Sequence, residues 1–496
     1  MSQTSTFLAN SCRRRPVVVV LSVAAVVSYA LAAASAFAQT SGVPEWPQFQ
    51  GGPEHRGVSE SGPAPPYRTR WTFPSPDGSG VSGAVIVDGL AISVGRESVY
   101  AVDVATGELA WDVARADGPV SSPAIASGRR LTLLYVDGGA STTPSPSPTP
   151  ADGSPSPSPD DEAAEAGGAS LVAIGLEDQR EVWRVSLGAE SRSGVTVDGD
   201  VAYVGDQDGT LYAVDVADGT VRWSSEMSGR IDISIAVSDG RAVAISRNDD
   251  SRRVVVAAHD ADDGERLWQI TPQLSATAAS SAALTEDSVI VGLADRLVRA
   301  FGVEDGEERW SSLALQLFSP LTAPAVGEGA VYVADIGGGL YRLDPVDGDR
   351  GWSFQFNEVV VRSSPVIIDR WVLLGLNDGR LVAVDAASGR LNWQSAPSQG
   401  LAGTIAVSSE AIVAVRGGND PGLVAFENDP DGRLIEEPSP TELEAGTTLS
   451  RIAIASVIVL AAALVPGVLI RRRMGDRALV AADAVDGADD EREDEA

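Results

Sequence analysis

Tryptophan recurs along this chain at a nearly constant step, and this period constrains the fold more than any other feature. Six of the seven intervals between eight tryptophans are 40 to 45 residues long, and the remaining interval, from Trp111 to Trp183, is 72. A repeat of this length is typical of a β-propeller, in which each repeat is one four-stranded blade. A single blade cannot bury both of its faces, so the blades must stack into a closed ring. The eight residues are Trp71, Trp111, Trp183, Trp223, Trp268, Trp310, Trp352 and Trp393.

Within each repeat, short strands alternate with glycine turns. The second half of the repeat follows the formula Ala-x-Asp-x-x-x-Gly-x-x-x-Trp, which is complete at Ala213, Asp215, Gly219 and Trp223. Asp starts a turn by accepting backbone N–H bonds, and Gly supplies the positive φ that closes the turn. We expect the Trp ring to lie across the adjacent blade and to cover its edge. We assign a structural role, and not metal binding, to Asp103, Asp215, Asp260, Asp344 and Asp385.

Three copies of the formula are partial, and one of them keeps only Ala173 and Trp183. Gly302 stands at the Asp place of one copy, and Arg342 stands at the Ala place of another.

The two ends of the repeat region complement each other. Residues 405–429 supply the inner strands of an eighth unit without a Trp, while Tyr67–Phe73 reads as an outer strand without inner partners. We therefore predict an all-β, eight-bladed propeller of four-stranded antiparallel blades over residues 67–430, closed by strands from both termini, after a lead-in segment over 39–66. A seven-bladed ring with a loose N-terminal segment is the alternative.

An apolar run near the N-terminus predicts export. Arg13–Arg15 precede an apolar run from Pro16 to about Ala34, and Ala36-Phe37-Ala38 follows. A charged start, an apolar middle and a small-x-small exit are typical of a secretory signal, here residues 1–38. An uncleaved anchor is the alternative.

A second apolar run predicts a membrane span. Ile452 to Ile470 is nineteen residues without a charge, and Arg471–Arg473 follow at once. The length suits a transmembrane helix over 451–471, and the arginines place the acidic tail 472–496 in the cytoplasm. The expected product is a single-pass type I protein of the cell membrane, with its propeller outside and a linker at 431–450. A buried soluble helix is the alternative.

The long Trp111–Trp183 interval contains an insertion. Residues 137–169 include two Pro/Ser repeats, a composition that predicts a disordered or polyproline-like excursion between the second and third strands of the second blade. The insertion is a spacer, a glycosylation site or a tether for a partner, and the sequence leaves these alternatives open.

Charge and composition exclude several function classes. A net charge of −32 repels nucleic acid. Cys12 is the only cysteine, so the rest of the chain has no disulfide, thiolate metal site or catalytic cysteine. The chain has two histidines: we interpret His259 as a strand residue and expect His55 to be exposed. We predict no catalytic, cofactor-binding or metal-binding residue, and no cofactor.

The formula and its spacing resemble the PQQ-like β-propeller repeat family over about residues 46–430, and Trp46 to Gly52 resemble its lead-in. In repeat type the chain is similar to the propeller subunit of the outer-membrane β-barrel assembly machinery. The family also includes dehydrogenases that depend on a quinone, a calcium ion and a catalytic aspartate, many of them with a vicinal cysteine pair and a haem domain. This chain lacks that cysteine pair, so we place it in the non-catalytic branch.

These observations predict a membrane-anchored, extracytoplasmic binding or scaffold module for envelope proteins. The alternative is a PQQ- and calcium-dependent surface dehydrogenase of alcohols or sugars. Loops on a rigid scaffold are the usual place for recognition. The candidate partner-binding residues are Arg96, Phe356, Asn357, Glu358 and Arg416. For Phe356, filling the interface between two blades is the alternative.

Overall fold

The described residues form a ring of eight β-sheets. The computed structural model describes residues 45–138, 168–272, 279–313, 322–327, 329–356, 359–361, 363–398 and 400–435. Over these ranges every sheet contains four antiparallel strands, and one sheet gains a short fifth strand in parallel pairing. The prediction of an eight-bladed, all-β propeller is confirmed, and the seven-bladed alternative is wrong.

A 3₁₀ turn (Phe49–Gly51), β1 (Val58–Ser59) and β2 (Tyr67–Pro74) precede the first blade. Blade 1 consists of β3 (Val85–Val87), β4 (Leu90–Val94), β5 (Ser98–Asp103) and β6 (Leu109–Ala114), and blade 2 of β7 (Ala124–Ser127), β8 (Leu131–Asp137), β9 (Ser170–Gly175) and β10 (Glu181–Ser186). Blade 3 consists of β11 (Thr196–Asp198), β12 (Val201–Gly205), β13 (Thr210–Asp215) and β14 (Val221–Glu226), and blade 4 of β15 (Ala236–Ser238), β16 (Arg241–Asn248), β17 (Arg253–Asp260) and β18 (Arg266–Ile270). Blade 5 consists of β19 (Ala283–Leu284), β20 (Ser288–Gly292), β21 (Val298–Gly302) and β22 (Glu308–Ser312), and blade 6 of β23 (Ala325–Gly327), β24 (Ala330–Ala334), β25 (Gly339–Leu343) and β26 (Arg350–Gln355). Blade 7 consists of β27 (Val366–Ile368), β28 (Trp371–Gly375), β29 (Leu381–Asp385) and β30 (Leu391–Gln394). Blade 8 contains β31 (Leu401–Val407), β32 (Ile412–Arg416), β33 (Gly422–Asn428) and, as its outer strand, β2.

The ring is closed by strands from both ends of the propeller. β2 pairs antiparallel with β33, from Tyr67 opposite Asn428 to Pro74 opposite Gly422. The ring of Tyr67 meets Trp393 of blade 7 edge-on at 5.0 Å, so the N-terminal strand also joins the neighbouring seam. The predicted closure is confirmed. The two ends of the propeller thus form one sheet, and blade 8 lacks at least one strand if either end is removed.

The Asp of the repeat formula organises the turn before the outer strand. Asp103 Oδ1 accepts a hydrogen bond from the Thr106 backbone N–H at 2.8 Å, and Asp215 Oδ1 accepts one from Ala217 at the same distance. Equivalent bonds at 2.8 to 2.9 Å form at Asp260, Asp344 and Asp385. These carboxylates thus accept backbone hydrogen bonds within their own turns.

Six of the eight docking tryptophans bond to the turn of the following blade. The Trp223 indole N–H, for example, donates to the Ala261 carbonyl oxygen at 2.9 Å. The accepting residue comes directly after the Asp place of the formula. Six such bonds of 2.8 to 3.0 Å are made by Trp71, Trp183, Trp223, Trp268, Trp310 and Trp352.

The Gly of the formula has a second role that the sequence does not reveal. Gly264 has a φ of +76°, and a Cβ atom at this position would lie 2.6 Å from the Trp223 ring. The same conflict, at 2.5 to 2.7 Å, recurs at Gly107, Gly219, Gly306, Gly348 and Gly389. The glycine therefore both closes its turn and receives the indole of the preceding blade.

The seam between blades 1 and 2 is different. Gln179 occupies the glycine place of blade 2, with a φ of +54°, and Trp111 of blade 1 is only half-buried. A side chain at the receiving position keeps the indole from the close approach seen at the glycine seams.

The lead-in segment binds the inner edge of the ring, and we call residues 45–59 the N-terminal clasp. Its backbone exchanges hydrogen bonds with Ile86 of blade 1, and its Gln48 side chain exchanges bonds of 2.7 and 3.1 Å with the Val197 backbone of blade 3. The Glu45 carboxylate accepts from the Ser409 N–H of blade 8. The other five blades donate hydrogen bonds of 2.7 to 2.8 Å to backbone carbonyl oxygens of the clasp. The donors are the backbone N–H groups of Ile125, Val237, Leu284, Val326 and Ile367.

The clasp thus contacts all eight blades. The innermost strands would otherwise present unpaired N–H groups to the axis, and buried donors of this kind cost free energy. The clasp satisfies one donor in each of these blades.

The insertion leaves from the place that the sequence predicts. β8 ends at Asp137 and β9 begins at Ser170, and residues 139–167 between them lie outside the described residues. The buried Asp137 carboxylate contacts Arg184 at 2.7 Å and Arg115 at 3.5 Å, which ties the root of the insertion to its own blade.

Among the described residues, no helix has the length and apolar character needed to cross a bilayer. The predicted signal 1–38, the predicted span 451–471 and the tail 472–496 lie outside the described residues.

The indole-receiving glycine can be tested against a glycine with the same backbone conformation. Gly240 has a φ of +73°, and a Cβ atom added there would meet nothing within 4 Å, whereas a Cβ atom at Gly264 would meet Trp223. Gly240→Ala should cost about 1 kcal/mol through backbone strain. Gly264→Ala should cost roughly 2 kcal/mol more, because the Cβ overlaps the ring. Urea unfolding measures both, and equal losses would contradict the receiving role of Gly264.

Candidate functional site

The two faces of the ring differ in what covers the axis. The turns between first and second strands, and between third and fourth strands, lie on the face that carries the clasp, which we call the clasped face. The opposite face carries the blade-to-blade crossovers and the turns between second and third strands, and we call it the open face. A cavity of about 540 Å³ opens there, lined by Ser79–Gly83, Arg96, Gly118, Val120, Ser122, Gly403 and Thr404.

A serine followed by glycine or serine precedes several of the inner strands, as at Ser82-Gly83, Ser280-Ser281 and Ser363-Ser364, so small side chains lie near the axis at this mouth. The first hydroxyl of the pattern caps its own blade: Ser82 Oγ accepts from the Val94 N–H, and Ser280 Oγ accepts from the Gly292 N–H, both at 2.9 Å. Ser363 Oγ accepts from Gly375 in the same way at 2.6 Å. These serines are structural, as their recurrence with the repeat indicates.

A second cavity of about 460 Å³ adjoins the first on the open face. Its wall includes Arg96, Asp117, Val120, Glu190 and Arg192. Arg96 Nη2 donates to Asp117 Oδ2 at 2.9 Å, and the hydrogen bond from Arg96 lowers the pKa of the Asp117 carboxyl. Both side chains are more than half exposed, so this pair adds little stability and leaves its charges available to a partner.

Among the described residues, blade 4 has the longest paired strands in the hairpin between its second and third strands. β16 and β17 are eight residues each, so their hairpin is long compared with those of the blades on either side. Near the turn of this hairpin, Arg230 Nε contacts Asp232 Oδ2 at 2.7 Å, and Arg247 reaches the same carboxylate at 3.4 Å. Arg230 also pairs with Asp249 in the turn. The result is a polar, charged rim beside the mouth.

The structure separates the predicted partner-binding residues. Arg96 lies exposed on the open face. Phe356 is 4% exposed and packs against Phe354 at 4.8 Å between ring centroids, so its position fits the alternative of filling the blade interface. The Arg416 side chain is 10% exposed and pairs with Asp420 at 2.7 Å. Asn357 and Glu358 lie outside the described residues.

The expectation for His55 is wrong. Its ring is fully buried in the clasp, with Nε2 3.1 Å from Thr196 Oγ1 and the Phe49 ring edge-on at 5.2 Å. Burial lowers the pKa of His55 to about 3. The fold places His55 inside the ring because the clasp crosses the axis there, and its own sequence neighbourhood gives no sign of this.

His259 lies in β17, as expected, and is also buried. Burial lowers its pKa to about 4, and the charge of Arg266 acts in the same direction. Within the described residues, neither histidine bonds to a carboxylate, and both rings are packed in the interior.

Within the described ranges, no group of three or more His, Cys, Asp or Glu side chains could hold a metal ion.

An eight-bladed ring of PQQ-like repeats, clasped on one face and open on the other, defines the class of this protein. The family model described as outer membrane protein assembly factor BamB matches residues 167–316 and 313–437, more than half of the chain. The chain belongs to this family.

Relatives of known name agree with the family match. The outer membrane protein assembly factor BamB of Salmonella typhimurium is 27% identical over 296 residues, which covers 55% of this chain and 73% of the relative. The BamB protein of Yersinia pestis is 25% identical over 292 residues, covering 54% and 71%.

Solved structures show the same fold. A europium-containing methanol dehydrogenase superposes with a TM-score of 0.60 at 12% identity, over 75% of this chain and 90% of the enzyme. The designed Ika8 protein gives 0.56 at 14% identity, over 73% and 99%. At these identities the likeness concerns the fold alone.

The buried imidazole of His55 predicts a pH dependence of stability. Its folded pKa of about 3 lies below the unfolded value of 6.5, so between these pH values the unfolded chain binds the extra proton. Stability should be complete above pH 6.5 and fall as the pH is lowered, by about 2 kcal/mol at pH 5 from this group. Denaturant unfolding at pH 7 and pH 5 measures the loss. His55→Gln should reduce the difference, and an unchanged difference would show that His55 is protonated equally in both states.

Proposed function

We propose that this protein is a non-catalytic, protein-binding propeller of the cell envelope, which holds partner proteins at its open face. Membership of the assembly-factor family supports the envelope setting and the binding role. The clasp is the observation that favours the open face as the binding surface. It forms hydrogen bonds with all eight blades and lies on one side of the ring. A partner that engages the axial mouth must therefore approach from the open face.

The chemistry of the open face suits protein recognition. Glycine, serine and threonine supply most of the lining of its axial mouth, with Val81, Val120 and Arg96 as the larger side chains, so a protruding loop of a partner can enter it. Charged side chains of both signs surround this mouth, among them Arg96, Asp117 and Glu190. Rim charges of this kind set the orientation and the rate of association more than the affinity.

The proposal includes the membrane arrangement that the sequence predicts. A cleaved signal at 1–38 would export the propeller, and a span at 451–471 would hold it at the cell membrane as a single-pass type I protein. The root of the Pro/Ser insertion, at Asp137 and Ser170, lies on the open face. Any partner bound there would be close to it.

Site-specific photocrosslinking in intact cells tests the face. A photoreactive residue at Val120 or Glu190, on the open face, should give adducts with envelope proteins. The same residue at Val346, which is 82% exposed in a turn on the clasped face, is the matched control and should give none. Adducts from Val346 alone, or from all three sites equally, would overturn the assignment of the open face.

The enzymatic alternative is tested on the full-length protein with PQQ and calcium. A ligand that binds only the folded state raises the melting temperature by mass action. We expect no rise, and no oxidation of alcohols or sugars with an electron-accepting dye. A saturable rise that requires both PQQ and calcium would replace the binding role with the dehydrogenase.

A further inference from the structure

Arg342 breaks the repeat at a position that faces the neighbouring blade. The corresponding residue is Ala in six other copies, and each of these alanines is fully buried: Ala101, Ala173, Ala213, Ala258, Ala300 and Ala383. In β25, Arg342 shares a face with Leu340, which packs into the hydrophobic cluster between blades 6 and 7. A charge placed in a blade interface costs free energy unless it is solvated or paired.

The surroundings of Arg342 are adapted to its size. Gly351 lies beside it on β26, where a Cβ atom would come within 2.8 Å of Arg342 Nη1. Nη2 donates to the Gly329 carbonyl oxygen at 3.2 Å. The guanidinium then reaches a cavity of about 890 Å³ between blade 6, blade 7 and the clasp, which we call the seam cavity.

A second arginine without an acidic partner lines the same cavity. Arg56 belongs to the clasp, and its Nε donates to the Val326 carbonyl oxygen at 3.3 Å. Within the described part of the chain, neither Arg56 nor Arg342 forms an ion pair, although Asp and Glu outnumber Lys and Arg by 69 to 37. Arg370, also on the wall, is instead neutralised by Asp385.

Acidic side chains on the same wall limit what the two arginines can bind. Glu54, Glu60 and Asp369 also line the seam cavity. They would repel a multiply charged anion such as phosphate, whereas a single carboxylate can pair with a guanidinium through two parallel hydrogen bonds. Glycine backbone and the apolar Ile367 supply the remaining surface, and the volume lies within the range of small-ligand sites.

We propose that the seam cavity is a binding site for the free C-terminal carboxylate of a short peptide. Arg342 and Arg56 hold the carboxylate, and the glycine-lined clasp wall accommodates the preceding residues. The site lies on the clasped face, so its ligand can be titrated without a partner at the open face.

Calorimetry with the full-length protein tests the site. The probes are tri-alanine, tri-alanine amide and inorganic phosphate. We expect tri-alanine to bind, and the amide and phosphate to bind at least tenfold more weakly. Absence of tri-alanine binding, or equal binding of the amide, would refute a carboxylate site, and preferential binding of phosphate would assign the cavity to a different anion.

The variants separate binding from folding. Arg342→Ala restores the alanine of the repeat, so the protein should fold and unfold at or above the native melting temperature while losing tri-alanine affinity tenfold or more. Arg56→Gln should weaken binding in the same direction. Arg309→Ala is the matched control, because Arg309 lines a neighbouring cavity on the same face and its loss changes the net charge equally. Binding that survives Arg342→Ala, or that Arg309→Ala reduces as much, would overturn the proposal.

Discussion

The contact of an indole ring with the glycine of the next blade is the interaction on which this fold depends. It combines a hydrogen bond of 2.8 to 3.0 Å from the indole N–H with close packing on a Cα that carries no side chain. Because donor and receiver belong to successive blades, no blade completes its own edge. Stability therefore arises from neighbour interfaces, and the ring must close for the last blade to be covered.

Two further devices complete the closure, and both use the N-terminal part of the chain. β2 supplies the outer strand of blade 8, while the clasp supplies acceptors to the inner strands. The outer and inner edges of the ring are thus held by segments separated by only a few residues, 45–59 and 67–74. This arrangement places the clasp on one face of the ring and leaves the opposite face without it.

The sequence predicts the repeated features well, because each of them is encoded locally. The Asp and Gly of the turn, the Trp of the outer strand and the complementary ends at Tyr67 and Asn428 are all visible as patterns at fixed spacing. The second role of the glycine could not be seen, since it depends on contact between blades about 40 residues apart in sequence. The half-buried state of Trp111 follows from Gln179 only once that contact is known.

The clasp was beyond prediction for a different reason. The clasp segment occurs once, so its contacts with the ring leave no periodic pattern in the sequence. Its polar residues Gln48, Gln50 and His55 are also of the kind that is common in exposed loops. They are buried because the ring surrounds them. The signal that could have identified it is Trp46 to Gly52, a segment with the family's character that no blade accounts for. Among the candidate site residues, the pattern placed Arg96 on an exposed rim, whereas the burial of Phe356 depends on how blades 6 and 7 pack.

Engineered cysteine pairs test the closure of the ring most directly. Thr72 of β2 lies opposite Val424 of β33, whereas Val413 lies one strand further away, opposite Ala425. In a Cys12→Ser background, a cysteine pair at 72 and 424 should form a disulfide, because opposed residues of neighbouring strands lie within reach of one. A pair at 72 and 413 should not, because two strand spacings are about 10 Å. Peptide mass spectrometry of the oxidised protein gives the answer, and failure of the 72–424 pair to crosslink, or equal crosslinking of both pairs, would contradict a ring closed by its two ends.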